Sequence, residues 1–327
     1  MNRILLAVLS VILTATIAAA AAPTILVVES YEASYPWDHS YLDALQTELG
    51  AQFQLKTFEM DTKRLPAAEH PLRAEQAWQL YQQTNPRLVI LGDDNALKYL
   101  GSRLLDAGTP VVYLGINNNP EDYIPTGRNI TGILERPLFE FCLHTVGQIV
   151  LPPPKRVLVL FDNGTTSRAA VAEAFKNKSS QLISNILVEL KMIGDWDEWQ
   201  QTVNTAQQQG YEAIVVGLYH TLTDSQGRNV PAAQVLQWTS ANSPLPPFTF
   251  WDFSVGADKT IGGFVLSGQE QGKAAADVVR RIIGGTAPAD IPPAVGKNGK
   301  FVFSRAQLQK WNLTVSGMIS NKTEWTD

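Results

Sequence analysis

Short runs of Val, Ile and Leu alternate along the chain with stretches in which apolar residues recur every three to four positions. The runs predict strands over residues 24–29, 88–91, 110–115, 156–161, 186–192, 213–218, 248–253 and 263–266. The intervening stretches predict amphipathic helices over residues 39–49, 72–83, 96–106, 138–150, 167–178, 196–209, 232–240 and 271–283. This alternation is typical of an α/β protein, and the uniformly apolar strands indicate parallel sheets covered by helices on both faces.

Two features divide the pattern into similar halves. Residues 151–155 read Leu-Pro-Pro-Pro-Lys, a stiff segment after which the alternation starts again. Each half runs strand, helix, strand, helix, strand, so we predict two Rossmann-like lobes, a number that suits a chain of 327 residues. Gly284-Gly285 and the Pro-rich residues 288–293 predict a further crossing between the lobes near the end of the chain.

The first 22 residues differ from the rest of the chain. Arg3 is their only charged residue, an apolar run follows it, and alanines fill residues 18–22. This order is typical of a secretory signal peptide, so we predict a leader over residues 1–22, cleaved after Ala20 or Ala21. The alternative is an uncleaved anchor helix, because the run is about long enough to span a bilayer. No Cys lies near the junction, so we expect a periplasmic protein that is not a lipoprotein.

Composition narrows the possible function classes. Hydrophobic residues make up 45% of the chain and the net charge is -5, which argues against a disordered chain and against nucleic-acid binding. The single cysteine, Cys142, lies in an apolar run, and we interpret it as a small buried hydrophobe. The four histidines lack metal-ligand spacing, and no nucleophile-elbow, phosphate-loop or dinucleotide motif occurs. We therefore expect no cofactor and no enzyme, with His39 or His220 beside an aspartate as the remaining catalytic alternative.

Polar and aromatic side chains follow the predicted strands in both halves. In open α/β sheets the carboxyl ends of the strands face the cleft in which ligands bind. Six strand ends, three from each half, carry such side chains, and their convergence at one edge predicts a ligand-binding site. The candidate residues are Ser30, Tyr31, Trp37, Asp93, Asp94, Asn95, Asn117, Asp162, Thr166, Ser167, Tyr219, Trp251 and Asp252.

The residue types at these positions predict different roles. Backbone N–H groups at the helix starts can hold a carboxylate, and Asp93 or Asp252 can pair with an ammonium group. Tyr31, Trp37 and Trp251 can supply apolar walls. The alternative is a structural role for four of these residues, because Asp, Asn, Thr and Ser are preferred N-terminal caps of helices. The four are Asp94, Asn95, Thr166 and Ser167. Aromatic, amide and carboxylate groups occur together, so the identity of the ligand stays open.

Three stretches carry a resemblance to a known family. The first is Asn129-Ile-Thr-Gly132 with the helix and strand that follow it. The second runs from Gly262-Gly263 through residues 271–275 and 282–285 to Ile291-Pro292, and the third is residues 303–313. In this order and spacing they resemble the ABC-transporter substrate-binding family that includes the bacterial tryptophan/tyrosine-type binding proteins.

The resemblance implies a type I periplasmic-binding-protein fold, in which a ligand lies between two lobes joined by three hinge crossings. On that basis we expect lobe 1 to comprise residues 23–134 and 248–290 and lobe 2 to comprise residues 135–247 and 291–327. We expect the crossings near residues 133–135, 244–247 and 288–293.

The implied function is capture of a small molecule and its delivery to an ABC permease by a monomeric receptor. Glu29-Ser-Tyr31 and Tyr35-Pro-Trp37 are similar to a subgroup of these domains found beside bacterial sensor kinases. The alternative is therefore a ligand-sensing subunit that docks on a histidine-kinase ectodomain. The same loop differs from that of the amino-acid binders, so the resemblance does not carry a tryptophan or tyrosine ligand over to this chain.

Overall fold

The computed structural model describes residues 22–125, 129–295 and 299–327. The strands in chain order are β1 (Thr24–Glu29), β2 (Gln54–Glu59), β3 (Leu88–Gly92), β4 (Val111–Ile116), β5 (Ile130–Leu134), β6 (Arg156–Asp162), β7 (Ser180–Ile183), β8 (Ile186–Ile193), β9 (Ala213–Val216), β10 (Pro247–Thr249), β11 (Gly262–Val265), β12 (Ala294–Val295), β13 (Lys300–Phe303) and β14 (Thr323–Trp325). The helices are α1 (Pro36–Leu49), α2 (His70–Thr84), α3 (Asp93–Asp106), α4 (Phe139–Ile149), α5 (Thr165–Phe175), α6 (Trp196–Thr205), α7 (Ala232–Asn242), α8 (Gly268–Ile283), α9 (Arg305–Lys310) and α10 (Gly317–Ser320).

The strands form two main sheets and a small third one. The first sheet has the order β12-β5-β4-β3-β1-β2 and is parallel throughout. The second has the order β10-β9-β6-β8-β7 and is parallel except for β7. In the third, β13 lies between β11 and β14. The predicted α/β class with parallel sheets is confirmed.

Each main sheet is buried on both faces, which explains the uniformly apolar strands. Along β1, Ile25 and Val27 pack in a cluster with residues of α1 and α8, whereas Leu26 and Val28 pack in a second cluster with residues of α2 and α3. A side chain on either face of such a strand must therefore be apolar. Cys142 of α4 is also fully buried, as expected, and burial raises the pKa of its thiol above the usual range.

Four strands of the main sheets are absent from the predicted set: β2, β5 and the short edge strands β7 and β12. β2 reads Gln-Leu-Lys-Thr-Phe-Glu and lies at an open edge, so half of its residues are exposed and it shows no apolar run. β5 is short and includes Thr131 and Gly132, although this segment contributed to the family resemblance. Edge position and length removed the hydrophobic signal on which strand prediction depends.

The sheets also differ locally from the predicted lobe boundaries. β10 pairs with β9 in the second sheet, although the predicted boundary placed residue 248 in lobe 1. β12 pairs with β5 in the first sheet, although residues 291–327 were expected in lobe 2. The proline-containing segments in which the second and third crossings were expected lead directly into these two strands. Prolines here mark strand starts, and the lobe division as a whole stays a prediction.

The predicted leader over residues 1–22 lies outside the described residues, apart from Ala22. In the part of the chain that the structure describes, no helix is both long and apolar enough to span a bilayer.

Candidate ligand-binding site

A narrow, nearly closed cavity lies where the carboxyl ends of the two main sheets meet. Strands β1, β3 and β4 are parallel neighbours, so the residues that follow them come to one edge of the first sheet. The residues after β6, β9 and β10 reach the cavity from the second sheet. The cavity is lined by Tyr31, Tyr35, Trp37, Lys63, Asp93, Asn117, Glu135, Thr166, Leu218, Trp251 and Phe253.

Side chains from the two sheets touch across this cavity. The hydroxyls of Tyr31 and Thr166 lie 3.4 Å apart. The indole Nε1 of Trp251 donates to Glu135 Oε1 at 2.7 Å. The ring of Tyr35 lies 6.0 Å from that of Phe253, centroid to centroid. The structure therefore shows the two edges closed on each other, with the cavity between them.

Asp93 lines the cavity with only 1% of its surface exposed. It begins α3 with a φ of 64°, a left-handed conformation that Asp and Asn adopt more readily than most residues. Its Oδ2 atom makes no hydrogen bond within the described residues. Burial, and then the charge of Asp38, raise the pKa of Asp93 well above its usual range.

A glycine allows Asp93 to sit there. Gly115 has a φ of +70°, and a Cβ at this position would lie 2.8 Å from Asp93 Oδ1 and 3.2 Å from Trp37 Nε1. The absence of a side chain therefore leaves the space that the carboxylate and the indole occupy.

Glu135 and Asn117 form a hydrogen-bonded unit beside Asp93. Asn117 Nδ2 donates to Glu135 Oε2 at 3.1 Å and to the Gly115 carbonyl at 3.2 Å. Burial raises the pKa of Glu135 to about 7, against the lowering effect of its hydrogen bonds from Trp251 and Asn117. The Asn117 amide oxygen is left without a hydrogen-bond partner in the described protein.

More buried carboxyl groups lie behind the cavity wall. Glu29 ends β1 and Asp38 lies in the first turn of α1; neither is exposed, and none of their four carboxyl oxygens finds a hydrogen-bond partner among the described residues. Burial, and then Glu59, raise the pKa of Glu29 to about 8. Burial, and then Glu29, raise the pKa of Asp38 well above its usual range. Burial outweighs the opposing effect of the Lys63 charge on Asp38, so both groups favour the protonated form.

Aromatic rings form the other walls. Tyr31 and Tyr35 meet edge to face at 5.2 Å, and Trp251 stacks with Phe253 at 6.3 Å. The ammonium of Lys63 lies 4.1 Å from the centre of the Tyr31 ring and 4.6 Å from that of Tyr35. The cavity thus combines carboxyl and amide acceptors with aromatic faces, a lining suited to binding a small molecule.

A sequence profile described as "ABC transporter substrate binding protein" matches residues 73–326. The chain belongs to this family. The family and its fold are those of non-enzymatic solute-binding proteins. The comparison with curated proteins finds no matching sequence.

Solved structures similar to this substrate-binding protein share its type I periplasmic-binding-protein fold. An ABC domain in complex with L-Trp from Streptococcus pneumonia has a TM-score of 0.67 and 17% identity, covering 93% of this chain and 99% of its own. The ligand-free, open structure of a substrate-binding protein with adhesive properties from Clostridium difficile has a TM-score of 0.64, 12% identity and the same coverage of both chains. A solute-binding protein from Rhodopseudomonas palustris HaA2 in complex with p-hydroxybenzoic acid has a TM-score of 0.54 and 10% identity, covering 81% of each chain.

The structure brings six of the thirteen predicted site residues of this substrate-binding protein to the cavity. They are Tyr31, Trp37, Asp93, Asn117, Thr166 and Trp251. Seven others lie outside its lining: Ser30, Asp94, Asn95, Asp162, Ser167, Tyr219 and Asp252. Ligand contact stays a prediction for the first group, and the hydrogen bonds of the second group indicate a supporting role.

In the first half, the supporting residues position the loops that carry the cavity residues. Ser30 Oγ donates to the Gly92 carbonyl at 2.6 Å and accepts from the Ala96 N–H at 2.8 Å. Asp94 accepts from two backbone N–H groups of the loop after β4, at 3.0 and 3.1 Å. Asn95 donates to Thr62 Oγ1 at 2.8 Å.

In the second half, Asp162 organises the strand ends. It accepts from Ser167 Oγ at 2.6 Å and from the N–H groups of Gly164, His220 and Thr221 at 2.7 to 3.1 Å. Tyr219 and Asp252 are held in pairs: the Tyr219 hydroxyl lies 3.0 Å from Ser254 Oγ, and Asp252 lies 3.5 Å from the ammonium of Lys300.

Five lining residues were not among the predicted ones. They are Tyr35, Lys63, Glu135, Leu218 and Phe253. Lys63 and Glu135 follow β2 and β5, which are among the strands that the hydrophobic pattern did not show, so the pattern did not place these residues at strand ends. Tyr35 stands in a loop already singled out for Tyr31 and Trp37, and the loop itself was the available signal.

Proposed function

We propose that this protein captures a small molecule in the cavity between its two main sheets and delivers it to an ABC permease. The observation that carries the proposal is that side chains from both sheets line one cavity and contact each other across it. A ligand bound there contacts both edges at once, so its binding energy favours the closed arrangement over an open one.

The mechanism is hinge closure. An empty receptor opens at the segments that connect the sheets, a ligand enters, and closure buries it against the aromatic and acidic walls. Related folds provide a precedent, since the Clostridium difficile protein is described as ligand-free and open and the Streptococcus pneumonia domain as bound to L-Trp. The permease then recognises the closed form, and opening releases the ligand.

The cellular setting of the proposal is the periplasm. Residues 1–22 have the composition of a leader that directs export and is then removed. We propose that the mature receptor is a monomer with neither cofactor nor lipid anchor. Light scattering on the purified mature chain tests the monomer, and mass spectrometry of protein from the periplasmic fraction gives the mature N-terminus.

A thermal-shift screen of amines, amino acids, purines, sugars and organic acids tests capture. A ligand at 100 times its dissociation constant adds about 2.7 kcal/mol to the free energy of unfolding. Small-angle scattering with and without a compound that binds then measures closure as a fall in the radius of gyration. A screen in which no compound raises the melting temperature contradicts the proposal.

A gene deletion in cells distinguishes a role in uptake from a role in sensing. Deletion of the gene for this protein should abolish uptake of the radiolabelled ligand, and the wild-type gene should restore it. If uptake persists while a ligand-dependent transcriptional response disappears, the ligand-sensing subunit of a histidine kinase is the correct alternative. The fold and cavity are the same in both cases, so only the partner distinguishes them.

A further inference from the structure

Two buried hydrogen-bond acceptors of the cavity lack a donor. Asp93 Oδ2 and Asn117 Oδ1 have no partner in the described protein, and their residues are 1% and 2% exposed. The orientation of the Asn117 amide is fixed by its nitrogen, which donates to Gly115 and Glu135. An unmet buried acceptor is costly, so a molecule that reaches these two atoms must bring N–H or O–H donors. One buried donor of the lining, Trp37 Nε1, also lacks a partner, and a single neutral oxygen of the ligand satisfies it as well as a carboxylate does.

Carboxyl groups outnumber cationic groups in the cavity lining and directly behind it. Asp93 and Glu135 line the cavity, and Glu29 and Asp38 are buried behind it. The one cationic residue of the lining described by the structure is Lys63, whose ammonium lies over the faces of two tyrosine rings. A positive ligand favours the ionised form of these carboxyl groups and gains a counter-charge from it, whereas a negative ligand keeps them protonated and gains none.

The nearby guanidinium of Arg136 is already committed elsewhere. It donates to the carbonyls of Ile116 and Asn118 and pairs with Glu173 at 3.1 Å. It is not among the lining residues, so it does not offer the cavity a site for an anion.

We infer that the ligand of this cavity is an organic cation, whose protonated amine donates to Asp93 Oδ2 and Asn117 Oδ1 while its apolar part lies against the aromatic walls. An ammonium group provides the donors that both acceptors require, and aromatic faces attract it further through cation–π contact. The inference rests on the proposed function, because it names the chemical class that the proposed receptor captures.

The main alternative is a ligand that carries a carboxylate, because Lys63 lines the same cavity. If its ammonium instead paired with a carboxylate of the ligand, an amino acid or an acid would be the preferred class. The two cases differ in sign: removal of the lysine charge strengthens binding of a cation and weakens binding of an anion.

Three probes with one phenyl ring and different charges test the inference by titration calorimetry on the mature protein. Phenethylamine is a cation, phenylalanine a zwitterion and 3-phenylpropionate an anion. We expect phenethylamine to bind at least about tenfold more tightly than either of the others.

Absence of phenethylamine binding, or equal or tighter binding of the zwitterion or the anion, overturns the inference. If a neutral or anionic compound from the broad screen binds instead, the proposed function survives and the ligand class is wrong; if no compound binds, both fail.

Two substitutions, each with a matched control, locate the amine. Asp93→Asn keeps the shape and the left-handed backbone, and we expect a roughly tenfold to hundredfold weaker affinity for phenethylamine. Asp43→Asn makes the same substitution at an exposed position of α1 and should leave the affinity unchanged. Lys63→Gln should strengthen phenethylamine binding, whereas Lys56→Gln on exposed β2 should not. An Asp93→Asn variant with full affinity, or a Lys63→Gln variant that binds more weakly, contradicts the inference.

Discussion

The indole Nε1 of Trp251 donates a hydrogen bond of 2.7 Å to Glu135 Oε1, joining the residues that follow β10 and β5. β10 belongs to the second sheet and β5 to the first, so this buried bond ties the two edges of the cavity together. It also satisfies one oxygen of a carboxyl group that is 4% exposed. The bond therefore bears both on the stability of the closed form and on the protonation of Glu135.

We predict that Trp251→Phe lowers the free energy of unfolding by about 1 to 3 kcal/mol, because Glu135 Oε1 loses its donor while remaining buried. Urea denaturation of the ligand-free protein measures the change. Trp238→Phe is the matched control, since its ring packs on Trp196 at 5.4 Å, away from the cavity. Equal losses in the two variants would show that ring volume, and not the hydrogen bond, is responsible.

Gly115 makes a second prediction possible. Gly115→Ala places a methyl group 2.8 Å from Asp93 Oδ1 and also forces a side chain into a left-handed backbone conformation. We expect a loss of about 1 to 3 kcal/mol in stability and a weaker affinity for any ligand that contacts Asp93.

Gly108→Ala separates the two effects. Gly108 has a similar φ of +76°, but a Cβ there meets no atom within 4 Å. Its substitution should cost the backbone strain alone and leave binding unchanged. If Gly115→Ala is no worse than Gly108→Ala in urea denaturation and in calorimetry, the close approach to Asp93 has no energetic effect.

Asp162 should matter for folding more than for ligand contact. Asp162→Ala leaves four donors without their acceptor, and we expect it to reduce the free energy of unfolding by about 3 kcal/mol or more. Asp195 accepts from a single backbone N–H at the start of α6, so Asp195→Ala should cost about 1 kcal/mol. Chemical denaturation compares the two, and similar losses would contradict the organising role of Asp162.

The sequence predicted the class of fold because buried parallel strands have a strong signal. β3, β4 and β9 are fully buried, and apolar runs marked all three. β2 and β5 lacked that signal, since one lies at an exposed edge and the other is short and includes Thr131 and Gly132. The hydrophobic pattern of a segment depends on its burial, so it does not reveal a strand that is only partly buried.

The sequence predicted which edge of the sheets carries the candidate site, but not which side chains line it. Strand ends indicated where Asp93, Asn117 and Trp251 would meet. Neighbouring polar residues such as Asp94 and Asp162 have the same composition and the same position in the pattern, yet they bond to backbone N–H groups. Whether Asp93 or Asp94 faces the cavity depends on the backbone conformation, here the left-handed φ of Asp93. The position of the two residues in the sequence does not reveal it.

The buried acids predict how stability changes with pH. The pKa of Glu29 is raised from 4.5 to about 8 and that of Glu135 to about 7, so the folded protein holds protons that the unfolded chain has released. Stability therefore falls as pH rises from about 4.5 to about 8, because ionisation of the buried groups is favoured in the unfolded chain. Urea denaturation at pH 5, 7 and 9 should show this decline.

Glu29→Gln tests the origin of the decline. The amide keeps the size of the side chain and cannot ionise, so the variant should gain about 1 to 3 kcal/mol relative to the wild type between pH 5 and pH 9. Glu121→Gln, at an exposed position, is the control and should follow the wild-type curve. If Glu29→Gln also follows it, Glu29 ionises in the folded state at its ordinary pKa. A cationic ligand should reduce the slope in the wild type, because its charge compensates the ionised carboxylates that solvent does not reach.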